Sequence, residues 1–319
     1  MPHILVAKRI AASGIALLEQ APGFTVEVLD DPSEEQFLAS LPRADAALLF
    51  FRPLRAVHIQ AASQLRFVSR HGVGYDAVDV AELNARGIPL SITATANATA
   101  VAEHAVALLL SVAHRVTGHD SDVRAGRWQA GARTPMMELT DKKALIIGGG
   151  RIGSATAQRL IGLGMHVQCY DPGLPAGATL PNGVQRALDL PQALAQADVV
   201  SLHVPFTEQN RHLIDPWAMK AGSVLINTAR GGLVDEEVLV DALRKGHLFG
   251  AGMDVFAAEP VAAGHPLAYL DNVVLSPHNS ALTDGGLYRM GTESALNIID
   301  FFNGRVNPAC IVNPQVLSA

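Results

Sequence analysis

A glycine-rich turn, Gly148-Gly149-Gly150-Arg151-Ile152-Gly153, sits in the middle of this 319-residue chain. It follows the apolar run Ala144-Leu145-Ile146-Ile147, which has the character of a buried strand. It precedes Ser154–Ile161, which has the character of a helix. In that setting the glycines have distinct roles. Gly148 permits the tight turn, Gly150 lets backbone approach a pyrophosphate, and Gly153 lets the helix pack closely on the strand. A whole domain's length of chain comes before it, so the unit it serves is not the first along the chain.

The length suits about two domains, and 49% apolar residues suffice for a large core. Net charge is -6 with no block of Lys or Arg, which argues against nucleic acid as a partner. Cys169 and Cys310 lie far apart and form neither metal-ligand spacing nor a disulfide framework, so no metal is expected and a cytoplasmic location is. The run Ile4–Ala7 is cut short by Lys8 and Arg9, too short for a signal-peptide core. Ala105–Val112 is too short to span a bilayer, so no membrane association is expected.

Strand and helix patterns alternate along the chain. Strands are predicted at His3–Lys8, Thr25–Leu29, Ala46–Phe50, Arg66–Ser69 and Leu90–Thr93, with a helix at Ser13–Glu19 and a cap at Ser33 paired with Gln36. A longer helix covers Asn97–Arg115. An irregular stretch, Gly126–Glu138, follows and offers Met136 and Met137 as exposed methionines. After the glycine turn, strands are predicted near Val167–Tyr170, Val199–Val204, Ser223–Thr228, Gly250–Asp254 and Val273–Ser276, then a final helix near Gly286–Phe302. The fold class is α/β, with parallel sheets covered by helices on both faces.

Asp171 closes the strand after the glycine turn, near the spacing of a carboxylate that bonds adenosine ribose hydroxyls. With Pro172-Gly173 next and no Arg or Lys close by in sequence, NAD is expected rather than NADP. Three later blocks each place polar groups after an apolar run: Asn227–Arg230, Asp254 through Glu259, and Ser276–His278. Ligands of open parallel sheets bind beyond the strands' carboxyl ends, so Arg230, Asp254, Glu259 and His278 are candidates to converge there. Hydride transfer to a 2-oxo acid needs a cation on the carboxylate, a proton donor for the forming alkoxide, and a carboxylate to orient that donor. Arg, His and Glu suit these roles. Singly, each has an ordinary alternative: a surface strand-end arginine, a backbone-satisfied turn histidine, a solvated loop acid.

Together with Arg70–Asp76, Asn97 through His104, and His203–Thr207, these blocks resemble the NAD-dependent D-2-hydroxyacid dehydrogenases of the phosphoglycerate dehydrogenase-like group, over most of Arg52–Met290. The resemblance implies two lobes. A Rossmann dinucleotide domain, 99–285, would be inserted into a flavodoxin-like substrate domain built from 1–98 and 286–319. It implies Arg230, Glu259 and His278 as catalytic residues. Gly148, Gly150, Arg151, Ile152, Gly153, Asp171, His203, Pro205, Thr207, Thr228, Ala229, Asp254 and Ala281 would contact the cofactor together with Arg230 and His278. Arg52, Arg70, Val73 and Gly74 would contact substrate beside Arg230 and His278. It further implies a homodimer acting on a small 2-oxo or 2-hydroxy acid, with 3-phosphoglycerate and glyoxylate or hydroxypyruvate types as candidates. Trp128 and Met136 fall in the region of the dimer arm. No C-terminal regulatory domain is expected, and hence no serine feedback. Glu259 opposite His278 argues against the formate dehydrogenase branch. The chain departs from the resemblance at Asn279-Ser280-Ala281, at Leu145 and Asp141, where glycine is frequent, and at Phe206, where leucine is frequent. The rival function is a non-catalytic NAD-sensing regulator of the same fold.

Overall fold

The computed structural model describes residues 1–7, 10–129, 135–175 and 183–317. The chain divides into two compact units, Met1–Asn97 with Ala281–Ala319, and Ala98–Ser280. The first unit is therefore assembled from both ends of the chain.

Its sheet has the order β2-β1-β3-β4-β5, with β1 (His3–Val6), β2 (Thr25–Val28), β3 (Ala46–Leu49), β4 (Phe67–Arg70) and β5 (Leu90–Ile92). All pairs are parallel. The strands are short and rich in Ile, Leu, Val and Ala because a parallel sheet covered on both faces gives its central strands little exposed surface, and the polar Ser69 and Ser91 within it are buried. β3 is buried along its whole length. The helices α1 (Ala12–Gln20) and α10 (Asp284–Phe302) pack together, and a Cβ on Gly14 would lie 2.4 Å from the Gly291 carbonyl oxygen. Two glycines at one crossing let the helices approach more closely than any side chain would allow, and this fixes the C-terminal helix on the first sheet. Ser33 and Gln36 form the expected reciprocal cap of α2 (Glu34–Ser40). The first strand is predicted to reach Lys8, which lies outside the described residues.

The second unit holds a seven-stranded sheet of order β12-β11-β10-β9-β6-β7-β8. Its strands are β6 (Lys143–Ile147), β7 (His166–Tyr170), β8 (Gln185–Arg186), β9 (Val199–Leu202), β10 (Val224–Asn227), β11 (Gly250–Met253) and β12 (Val273–Leu275). Strand order reverses between β6 and β9, which opens a crevice at their carboxyl ends, where ligands of such sheets bind. The register aligns Ile147, Tyr170, Leu202, Asn227, Met253 and Leu275 across the sheet. Gly148, Asp171, His203, Thr228, Asp254 and Ser276 each come one residue later, so one edge of the sheet carries them all.

The long helix α5 (Ala98–Ala113) stops where Arg115 turns left-handed, at φ 52°, and α6 (Val116–Arg124) begins. The expectation of two exposed methionines is corrected: Met136 is exposed, but Met137 is only 9% exposed and donates its N–H to the Ala113 carbonyl. The rest of that arm includes 130–134, outside the described residues.

Candidate active site

The glycine turn enters α7 (Arg151–Gly162) with Gly150 at the N-cap and no side chain capping the helix. Gly148 has φ +100°, and a Cβ there would lie 2.7 Å from a Val204 methyl and 2.8 Å from the His203 carbonyl oxygen. A Cβ on Gly153 would fall 1.9 Å from the Gly148 carbonyl oxygen. At Gly150, by contrast, a Cβ would meet nothing within 4 Å. The outer glycines are thus required by the protein's own packing, whereas the middle one faces open space.

Asp171 accepts the Gly149 N–H on Oδ2 and the Gly173 N–H on Oδ1, both at 2.8 Å. Each oxygen retains a second lone pair for a ligand hydroxyl. The sequence showed no cation near this carboxylate, but the short strand β8 brings Arg186 to the same loop. Its guanidinium donates to the carbonyls of Leu174 and Pro175 at 2.9 and 2.8 Å, an engagement that serves the loop itself.

Farther along the edge, His203 bonds the Ser201 hydroxyl through Nε2 at 2.9 Å, and burial pushes its pKa down to about 3, so the ring is neutral. Pro205 and Thr207 are exposed and tied by Asn210, whose side chain accepts the Thr207 N–H and donates to the Pro205 carbonyl. Thr228 is 7% exposed, and its hydroxyl has no partner among the described residues. Buried hydroxyls normally find partners, so this one is a candidate ligand contact. The open face at Gly150, the uncapped start of α7, the spare acceptors on Asp171 and the Thr228 hydroxyl together fit a dinucleotide.

The buried Asn227 side chain shapes the next loop, accepting the Ala229 N–H and donating to the Arg230 carbonyl. Arg230 donates to the Ala229 carbonyl at 2.6 Å. A Cβ on Gly231 would lie 2.0 Å from the Phe256 carbonyl carbon, so the Arg230 loop seats directly on the loop that carries Glu259. Glu259 accepts the Phe256 N–H at 2.9 Å and pairs with His278 Nδ1 at 2.6 Å. Burial tends to raise the Glu259 pKa. The His278 and Phe256 hydrogen bonds and the charges of His278 and Arg230 outweigh it and hold the carboxyl below its ordinary range. An ionised carboxylate only accepts, so Nδ1 carries the hydrogen in this pair.

Asp254 is fully buried. Both its carboxylate oxygens are engaged within the protein, and in this conformation it presents no surface to a ligand. Sequence reasoning missed His104, Ser276 and Asn227 as contributors to this edge. His104 and Ser276 lie within recognised blocks but were given no role there, because 172 positions separate the two.

The remaining candidates lie in the first unit. Arg52, offered to the substrate on sequence grounds, is engaged within the first unit in this structure. Its guanidinium donates to the Pro32 carbonyl at 2.7 Å, the Ser33 carbonyl at 3.2 Å and the Glu34 carboxylate at 2.8 Å, and lies over the Phe37 ring. Its position after β3 suggested a strand-end cation, but α2 folds back to use that charge. Arg70 donates to the Leu49 and His71 carbonyls. Val73 and Gly74 are part-exposed in the turn after β4, and Ala281 opens the C-terminal stretch of this unit.

An all-parallel sheet with a glycine turn at its switch point, an acid after the second strand and an Arg, Glu, His set at later strand ends define a nucleotide-dependent dehydrogenase. Residues 106–280 match the NAD-binding domain of the D-isomer-specific 2-hydroxyacid dehydrogenases, and the chain belongs to that family. It is 38% identical to the D-3-phosphoglycerate dehydrogenase of Mycobacterium leprae, over 93% of this chain and 56% of that protein, so it spans little more than half of that relative's length. It is 36% identical to the glyoxylate reductase of Thermofilum pendens, over 99% of this chain and 96% of that protein. A solved structure from Thermus thermophilus superposes with a TM-score of 0.88 at 34% identity, covering 97% of this chain and 99% of that one.

Proposed function

We propose that the protein catalyses hydride exchange between NAD(H) and a 2-oxo acid/D-2-hydroxy acid pair. The observation that carries this reading is the 2.6 Å pairing of His278 with Glu259, in a loop locked to that of Arg230. Gly148–Gly153 and Asp171 would hold the dinucleotide, with His203, Pro205, Thr207, Thr228 and Ala229 along its length, while the buried Asp254 serves the loop of His278. NADH, when bound, supplies the hydride.

The residues would do the rest. Arg230 holds the substrate carboxylate and draws electron density from the carbonyl by charge-assisted hydrogen bonds. With Nδ1 engaged by Glu259, His278 delivers the proton on Nε2 to the forming alkoxide. Glu259 fixes the ring's tautomer and orientation and stabilises the charged donor. In the oxidative direction neutral His278 takes the hydroxyl proton.

The engagement of Arg52 with Glu34 and the Pro32 and Ser33 carbonyls weighs against its use on a phosphate. The proposed substrate is therefore a small unphosphorylated acid of the glyoxylate or hydroxypyruvate type. A homodimer in the cytoplasm is proposed as the working form, supported by the 77% exposed Trp128 and 56% exposed Met136 on the arm before β6, and by two cysteines that are both buried. Loss of NADH absorbance against glyoxylate, hydroxypyruvate, pyruvate, branched 2-oxo acids and phosphohydroxypyruvate tests the function. Fastest turnover with the first two supports it, and NADH binding without turnover of any acid refutes it.

A further inference from the structure

The left-handed backbone of His278, at φ 50°, is unusual for a side chain with a Cβ. Its surroundings explain it. The His278 N–H donates to the Asp254 carbonyl at 2.8 Å, the Asn279 N–H to Asp254 Oδ1 at 3.0 Å and the Ser280 N–H to Asp254 Oδ2 at 3.1 Å. Three successive amides thus converge on one residue, and a left-handed residue in the run is what turns consecutive N–H groups toward a common anion. The conformation of the loop depends on Asp254 staying where it is.

Two further side chains hold Asp254. The Ser276 hydroxyl donates to Asp254 Oδ1 at 2.6 Å, and His104 Nε2 stands 2.8 Å from Ser276 Oγ and 3.5 Å from Asp254 Oδ1. The proton count fixes the directions. The Ser276 hydroxyl has one hydrogen and gives it to the carboxylate, so it must accept from His104, and Nε2 carries that hydrogen. His104 lies on α5, which packs beneath β10, β11 and β12. The helix is thereby hydrogen-bonded, through Ser276 and Asp254, to the loop that presents His278.

We propose that His104 and Ser276 are positioning residues for His278, acting through Asp254. The proposal rests on the reading of His278 as the proton donor. A displacement of about 1 Å in such a donor is enough to cost ~100-fold in rate, whereas the glycine turn and the ribose-binding acid lie on other strands and do not sense it.

Ser276→Thr and Ser276→Val present the same shape with and without the hydroxyl, and His104→Gln and His104→Leu with and without the donor. In the intact protein without cofactor, amide hydrogen exchange over 276–281 is expected to rise in the Val and Leu variants and to stay near wild type in the Thr and Gln variants. With an acid that wild type reduces, kcat is expected to fall ~10- to 100-fold in the Val and Leu variants, with NADH affinity changed less than about threefold. Thr and Gln should restore kcat to within about threefold. Wild-type kcat and exchange in Ser276→Val, or equal losses in both members of each pair, overturn the proposal. If wild type reduces no acid, the role of His278 falls, and the exchange contrast alone still upholds or overturns the clamp on Asp254. If a Ser276 variant does not fold, the part-exposed His104 pair decides the question.

Discussion

The His71 side chain offers a quantitative test of the loop after β4. The residue is 1% exposed, its ring centroid lies 4.4 Å from that of Phe50, and neither ring nitrogen bonds to another described residue. Burial, reinforced by the Arg70 charge, pushes its pKa from 6.5 down to about 4. Between those values the unfolded chain binds the proton more readily than the native state, so stability rises with pH there and is lost as pH falls. For these two pKa values the loss between pH 7 and pH 5 is about 2 kcal/mol. His71→Leu keeps an apolar contact with Phe50 and removes both the titration and two unpaired ring nitrogens. It should match or exceed wild-type stability at pH 7, by ~1 kcal/mol, because an unmet buried polar group is costly. Urea unfolding of both proteins at pH 7 and pH 5 isolates the effect, since every other titrating group is common to the pair. Wild type should lose about 2 kcal/mol more than the variant. The same pH dependence in both would refute a neutral, desolvated His71.

Other expectations follow from the sheet edge. Gly153→Ala drives a Cβ into the Gly148 carbonyl and should lower the melting temperature, whereas Gly150→Ala should melt like wild type yet bind NADH weakly; equal NADH affinity in Gly150→Ala would remove the glycine turn from the cofactor site. Arg230→Ala should lose about 3–5 kcal/mol of transition-state binding in kcat/KM, and a change below about 1 kcal/mol would place the substrate elsewhere. Because the Glu259 carboxyl titrates below its ordinary 4.5, the His278 pairing is complete above that pH and is lost only as pH falls through the depressed value. A kcat/KM profile in Glu259→Gln that keeps the wild-type acid limb would contradict this.

Most strands and their ends were legible in the sequence because a parallel sheet buried on both faces favours apolar runs that stop at a polar or glycine residue; β8 escaped because Gln185-Arg186 is a polar edge strand of two residues. The register then places Gly148, Asp171, His203, Thr228, Asp254 and Ser276 in one row, an alignment that no single strand reveals. Helix α6 is hidden in the sequence because Thr117-Gly118-His119-Asp120-Ser121-Asp122 has the composition of a loop, and its residues are not buried. Arg52 reads as a cation awaiting substrate because a charge at a strand end looks unpaired until Glu34, 18 residues away, is seen beside it. His104, Ser276 and Asp254 have no local pattern, since their connection exists only after α5, β11 and β12 have packed. Long-range polar contacts are decided by tertiary geometry, and sequence spacing carries no trace of them.

If His278 is the proton donor of a 2-oxo acid reductase, its loss must strike the chemical step and spare the cofactor. The most direct test compares kcat for the best acid in His278→Gln and wild type, with NADH affinity measured in both. A fall in kcat of ~100-fold or more with NADH binding retained is the predicted result. Turnover within a few-fold of wild type by a variant that binds NADH normally would contradict it.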